Sequence, residues 1–183
     1  MSNLIISENY LKEYTTINNN VDVKIVTPVI QEAQTFYILP ILGTQLYNEI
    51  INQVGTNTVS AANATLLDNY VVPCLMYYVK CELIPEMKYR MMNKGVMVKN
   101  SENSSPADLT EIQFLMDRAK NKAEELAERA TRFLRHNSAT YPLYTANAQY
   151  DEIRPNRNNY TGGIFVGDLR SDEDDCNIII GNY

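Results

Sequence analysis

Histidine and cysteine are scarce in this 183-residue chain, which has one histidine, His136, and three cysteines, Cys74, Cys81 and Cys176. An odd cysteine count at no framework spacing excludes a disulfide scaffold and suits a reducing compartment. Cys74 and Cys81 would lie about 10 Å apart along one helix face, too far to close a disulfide or share one ion. They read as small buried apolar residues. His136 falls at the end of a predicted helix, after Arg132 and Arg135. A cation there complements the helix dipole, a simpler role than a catalytic base with no partner in view.

Long apolar runs are missing as well. None approaches the roughly 18 residues of a membrane span, and the opening MSNLIISENYLKEY has neither a basic leader nor a long apolar stretch. The chain is expected to be soluble, without a standard secretion signal and without a membrane partner. Basic charge is outweighed: 16 Lys and Arg face 22 Asp and Glu, a net charge of −6. With a pI near 4.8, this argues against a protein whose main task is gripping nucleic-acid phosphates. Arg118, Lys120, Lys122, Arg129, Arg132 and Arg135 fall on one predicted helix, but Glu124, Glu125 and Glu128 are interleaved with them and cancel much of the field.

Catalytic motifs are absent in turn: no phosphate loop, dinucleotide fingerprint, zinc-protease motif, CxxC or GxSxG. Gly162-Gly163 precedes a strand-like run, the wrong order for a phosphate cradle that opens a helix. The run Asp172–Asp175 lacks the central glycine and closing glutamate of a calcium loop. Glu82 with Glu86, and Glu124 with Glu128, have the spacing of a di-metal site but no accompanying histidines. No catalytic residue, no metal ligand and no cofactor is expected, and the chain does not read as an enzyme.

What the sequence does contain is helical periodicity over residues 22–136. From Asp22, a candidate N-cap, Val26, Val29, Ile30, Ala33, Phe36 and Tyr37 follow the spacing of one helix face until Pro40 and Gly43 break the run. A short second helix over 44–54 carries Leu46, Tyr47, Ile50 and Ile51. A third, from about Ser60 to Asn93, buries Leu67, Val71, Cys74, Tyr78, Cys81, Pro85 and Tyr89, with Pro73 and Pro85 each expected to kink or divide it. The fourth is predicted from Ser105 as N-cap and Pro106 as first helical residue, with Leu109, Ile112, Met116, Ala119, Ala123, Leu126, Ala130 and Phe133 on its apolar face. Its three alanines imply close approach by a neighbouring helix. Glu125–Arg129 and Glu128–Arg132 are favourably ordered ion pairs.

The expected fold is all-α: a four-helix-type bundle over 22–136 with a kinked third and a long fourth helix. An N-terminal lead precedes it over 1–21. An extended acidic C-terminal arm over 137–183, with short β segments at Ile164–Val166 and Ile178–Ile180, follows it. The arm holds seven acidic residues and three arginines, so −4 of the net charge lies there. It has too little apolar surface for a second core and reads as a segment that orders against something else. Tyr141, Tyr144, Tyr150 and Tyr160 crowd its start. With Ile164, Phe165 and Val166 they are the candidate partner-binding residues, since tyrosine buries large area at low entropic cost. The same tyrosines could equally fold back onto the chain's own bundle.

Several stretches together resemble one family. These are VTPVIQEAQTFYILPILG leading into TQLYNEI over 26–50, the proline-broken LLDNYVVPCLMYYVKCELIPEM over 66–87, NKGV at 93–96, and FLRHNSATYPLY over 133–144. They resemble the head–tail connector (adaptor) proteins of tailed bacteriophages, of the crAss-like phage type. The resemblance implies a virion structural protein at the head–tail interface, assembled in the host cytoplasm. It implies a homo-oligomeric ring, expected to be twelvefold, beneath the portal protein. The ring would dock a downstream tail or collar ring protein, and genomic DNA would pass through its lumen without tight binding. The competing expectation is a helical scaffolding or regulatory module that binds one protein and forms no ring.

Overall fold

The computed structural model of the chain describes residues 3–92, 95–98, 108–145 and 153–155, and these are mostly helical. The arm segments Ile164–Val166 and Ile178–Ile180 lie outside the described residues. Helix α1 (Glu8–Tyr14) is capped by Ser7, whose hydroxyl accepts the Tyr10 N–H at 3.1 Å. Helix α2 (Val23–Ala33) starts at Asp22, whose carboxylate accepts the Lys24 N–H at 3.0 Å. A five-residue π turn, Gln34–Ile38, then leads directly into α3 (Leu39–Leu42).

Pro40 therefore does not break the run, contrary to the expectation from sequence. The Leu39 N–H reaches back five residues to the Gln34 carbonyl, widening the turn just before the proline ring arrives. The same device recurs further on. Helix α5 (Ala61–Leu66) passes through a second π turn, Leu67–Val71, into α6 (Val72–Lys88), and the Val72 N–H reaches back to the Leu67 carbonyl one residue before Pro73. A proline in a regular α-helix loses one bond and collides with the carbonyl four residues back. A π turn at that place takes up the collision without ending the helix. Pro85 does not divide the chain either, since α6 runs through it to Lys88.

What stops the first rod is Gly43, at φ 75°, between α3 and α4 (Thr44–Gly55). A left-handed φ suits glycine, and here space demands it too: a Cβ on Gly43 would sit 2.6 Å from the Pro155 ring. The continuous rod Val23–Leu42 has the length and composition that could cross a membrane, although the apolar runs in the sequence alone are too short to suggest it. Core packing takes up part of its apolar content, since Val26, Val29, Ile30, Ala33, Ile38 and Leu42 are buried, while Val23 and Phe36, the latter expected on the buried face, are exposed.

After α6 the chain enters an antiparallel pair, β1 (Tyr89–Met92) with β2 (Gly95–Val98), in the register Tyr89↔Val98 to Met92↔Gly95. The third helix thus ends at Lys88, five residues short of the expected stop. Helix α7 (Leu109–His136) starts at Asp108, not Ser105. The Asp108 carboxylate and the Glu111 side chain cap each other's backbone, with Asp108 N–H to Glu111 Oε2 at 3.1 Å. Leu109, expected on the buried face, is consequently a first-turn residue in solvent.

Helix α6 packs along both α2 and α7 and is buried on more than one side through Cys74, Leu75, Tyr78, Val79 and Leu83. Leu75 and Val79 fall outside the single stripe read from the sequence. Both outer segments of the described chain join this core. Ile6 and Leu11 of the N-terminal lead are buried in it. The buried Gln34 side chain ties the lead down, accepting the Ile5 N–H at 2.7 Å and donating to the Asn3 carbonyl at 3.3 Å. At the other end α8 (Pro142–Thr145) buries Tyr144. The boundaries drawn at 21 and 137 therefore do not mark the edge of packing: 137–145 and 153–155 lie against the body.

Candidate interaction surfaces

The seam between α6 and α7 is built from small residues on α7 and thiols on α6. The Cys74 thiol donates to the Ala123 carbonyl at 3.5 Å, and the Cys81 thiol donates to the Met116 carbonyl at 3.7 Å. Ala119, Ala123 and Ala130 are buried, as their spacing predicted. Burial pushes the Cys74 thiol up to about 12, and raises Cys81 as well. Both are buried, structural thiols rather than nucleophiles.

Outside that seam runs a row of cations over aromatic rings. Lys122 Nζ lies 5.3 Å from the Tyr77 ring centre and the Arg129 guanidinium 5.3 Å from that of Tyr70. Tyr70 stacks on Phe133 at 4.1 Å, and Phe133 meets Tyr141 edge-on at 5.9 Å. Of the two predicted i,i+4 pairs, Glu128–Arg132 forms, while Arg129 lies over Tyr70. Lys120 pairs with Glu124 at 3.8 Å. The basic residues of α7 are thus spent largely on their own helix and on aromatic faces.

Sequence reasoning missed a polar link between the first rod and α6. The Tyr37 hydroxyl donates to the Glu82 carboxylate, and the Tyr37 ring stacks on Tyr78 at 4.0 Å with 4° between planes. Burial first, then the bond to Glu82 and its charge, push the Tyr37 phenol well above its ordinary range. Glu82 is thus bonded to a phenol and Glu128 to Arg132. Among the described residues no group of three or more His, Cys, Asp or Glu side chains is placed to hold an ion.

The partner-binding candidates divide. Tyr141 and Tyr144 fold inward, 4% and 1% exposed, and the Tyr141 hydroxyl donates to the Ala62 carbonyl at 2.7 Å. These two are core residues, a correction to their reading as contact residues. Large aromatic area is what a core wants too, so composition could not separate the alternatives. Tyr150, Tyr160, Ile164, Phe165 and Val166 lie outside the described residues. Between Tyr150 and Tyr160 in the chain, Ile153 is stitched to the start of α4: its N–H donates to Thr44 Oγ1 at 2.9 Å and its carbonyl accepts the Thr44 N–H at 3.0 Å.

Among the described residues, apolar surface stays open around α7. Leu109, Phe114 and Leu115 on the first half of α7 are 52%, 65% and 46% exposed. Beside Leu115 lies a cleft of about 460 Å³ between residues 16–21, the last turns of α6 and the start of α7. Ile17, Val21, Met87 and Ile112 give it apolar walls, and Lys80 and Lys88 are its charged residues. Lys80 Nζ donates to Thr16 Oγ1 at 2.7 Å. Apolar surface with a charged border is the usual composition of a protein contact site.

Neither a characterised protein nor a solved structure matches the chain. A family model does, over residues 38–154. That stretch runs from the π turn before Pro40, through α4 to α8, to the Ile153 stitch at Thr44, and it covers more than half of the sequence. The chain belongs to the family of unknown function DUF6712.

Proposed function

We propose that this protein is a virion structural protein, a head–tail adaptor that assembles as a ring under a phage portal. The body is read as a four-helix-type bundle, with the rods Val23–Leu42, 61–88 and 109–136 and the shorter α4 as its members. The observation that carries the reading is the open apolar face of α7, with Phe114 65% exposed next to Leu115 and the cleft. A protein that works by geometry needs such faces, and a head-to-tail ring needs two different ones per subunit. The resemblance over 26–50, 66–87, 93–96 and 133–144 supplies the identity of the neighbours: the portal protein above, a tail or collar ring protein below, and copies of itself beside. Acidic overall charge suits a channel through which DNA slides without sticking, since like charge suppresses phosphate binding. No catalysis is asked of the chain.

The experiment is to mix the purified protein with the portal protein of the same genome and determine mass and symmetry. A closed ring seated on the portal is the expected outcome. A protein that stays unbound, or binds without closing a ring on the portal, would favour the helical scaffolding or regulatory module that binds one protein and forms no ring.

A further inference from the structure

We propose that the cleft beside Leu115 is the seat of the chain's own C-terminal tail, with Ile178–Ile180 in the apolar groove and Asp172–Asp175 against Lys80 and Lys88. The cleft asks for a short apolar segment with negative charge beside it. Its walls include Leu83, Met87 and Leu115, its two charged residues are both lysines, and among the described residues no carboxylate lines it. The tail has that pattern: four consecutive acids, 172–175, then Cys176-Asn177, then three isoleucines. The other apolar scrap of the arm, Ile164-Phe165-Val166, has a single acid close by, Asp168. Charge complementarity therefore selects 172–180.

The tether has the right length for this to happen within one chain. The tail departs from Pro155, which packs on Gly43 at the C-terminal end of the rod Val23–Leu42. Val21, in the cleft wall, lies just before the other end. Twenty residues of helix put these two ends about 30 Å apart. From Pro155 to Ile178 the chain advances about 23 residues, which as a coil spans about 24–29 Å and fully extended about 76 Å. A tether whose mean length matches the span gives the highest effective concentration of the tethered segment. Seating covers three isoleucines that would otherwise be an association hazard, and the ion pairs make it sensitive to salt. This inference concerns the free chain: the tail would leave the cleft before that part of the α7 face met a neighbour in the adaptor reading, and because its test contains no portal the two readings fail separately.

Cys176, two residues before Ile178, makes the seat measurable in the full-length protein. Leu115→Cys places a thiol on the cleft rim, and Asn52→Cys places one on α4, about 12 Å along that helix from the Pro155 anchor and thus nearer to it than the cleft. Under mild oxidation, the intrachain disulfide of Cys176 should form at least ~10-fold faster in the Leu115→Cys variant than in the Asn52→Cys variant. Neutralising Asp172–Asp175 or adding about 0.5 M salt should remove most of that advantage. Ile84→Cys, in the same cleft but on α6, repeats the measurement should the α7 variant fold poorly. Equal rates at the cleft and at residue 52 would overturn the proposal. So would cross-links found only between two chains, since they would assign the seat to a second copy.

Discussion

The Cys74 thiol and the Ala123 carbonyl stand 3.5 Å apart, and seven residues on along α6 and seven back along α7 the Cys81 thiol and the Met116 carbonyl repeat the contact at 3.7 Å. Tyr77 under Lys122 and Tyr70 under Arg129 keep the same spacing on the outer side of the seam. A contact that recurs every seven residues on both partners is the repeat of two antiparallel helices wound as in a coiled coil. The backbone of α7 can approach α6 closely because Ala119, Ala123 and Ala130 are among its buried residues. The seam is therefore held by shape more than by polar bonds, since thiol donors are weak.

Enlarging one of those alanines should prise the seam open. Ala123 is fully buried, so Ala123→Leu must displace α6, at a cost of about 1–3 kcal/mol. Urea unfolding followed by circular dichroism should give a lower midpoint with an unchanged slope. An unaltered midpoint would mean that the two helices are not in close contact at this point.

Alkali should destabilise the protein through the same thiol. Folded Cys74 ionises only near 12, against 9.0 for the free group. Below about pH 9 both states keep the proton and the full stability is present. Between about pH 9 and 12 the unfolded chain releases the proton and the folded one does not, so stability falls by up to about 1.4 kcal/mol per pH unit. Tyr37 and Tyr78, both raised by burial, act in the same direction at higher pH. Cys81, raised by burial as well, adds to the decline in the same window. Cys74→Ala should therefore remove part of the loss measured between about pH 8.5 and 10.5 and Cys81→Ala a further part, both thiols ionising before the tyrosines in the unfolded chain.

Much of this was legible from residue pattern, and the exceptions have physical reasons. Ala119, Ala123 and Ala130 announced a close helix neighbour because alanine on a buried face has no other use. Asp22 announced the start of α2 because its carboxylate serves the backbone locally. Pro40 marked the right place but the wrong outcome, and Pro73 marked the place where a π turn interrupts the regular helix. The turns around Pro40 and Pro73 are packed into the core through Ile38, Leu42, Leu67 and Val71, contacts made with distant residues that a local proline signal does not encode. Tyr141 and Tyr144 had two readings because an interface and a core reward the same side chain. The fit of Pro155 over Gly43 and the Ile153 stitch to Thr44 join segments more than a hundred residues apart, which local pattern does not encode.

That distant stitch gives the next expectation. Thr44→Val removes the hydroxyl that accepts the Ile153 N–H but leaves the Thr44 N–H bonded to the Ile153 carbonyl. Loss of one partly exposed bond amounts to about 1 kcal/mol, enough to speed hydrogen exchange at Ile153 by about fivefold if the segment opens locally. Gly43→Ala should do more, because the new methyl meets the Pro155 ring and the backbone is held at φ 75°. Exchange at Ile153 should then approach that of an unstructured amide while the α6–α7 seam stays protected.

The open face of α7 separates stability from assembly. Phe114 is 65% exposed, so Phe114→Ser removes little buried area and should shift stability by no more than about 0.5 kcal/mol. If that face meets a neighbouring subunit or the portal, the same ring becomes a buried anchor, and its loss should weaken association by about 2 kcal/mol or more. Leu109→Ser, on the same part of the helix, should act in the same direction. The measurement is the yield of portal-bound complex by sedimentation, with the unfolding midpoint of each variant recorded in parallel. Unchanged complex yield with unchanged stability would remove α7 from the contact surface and leave its exposed aromatic without a role in assembly.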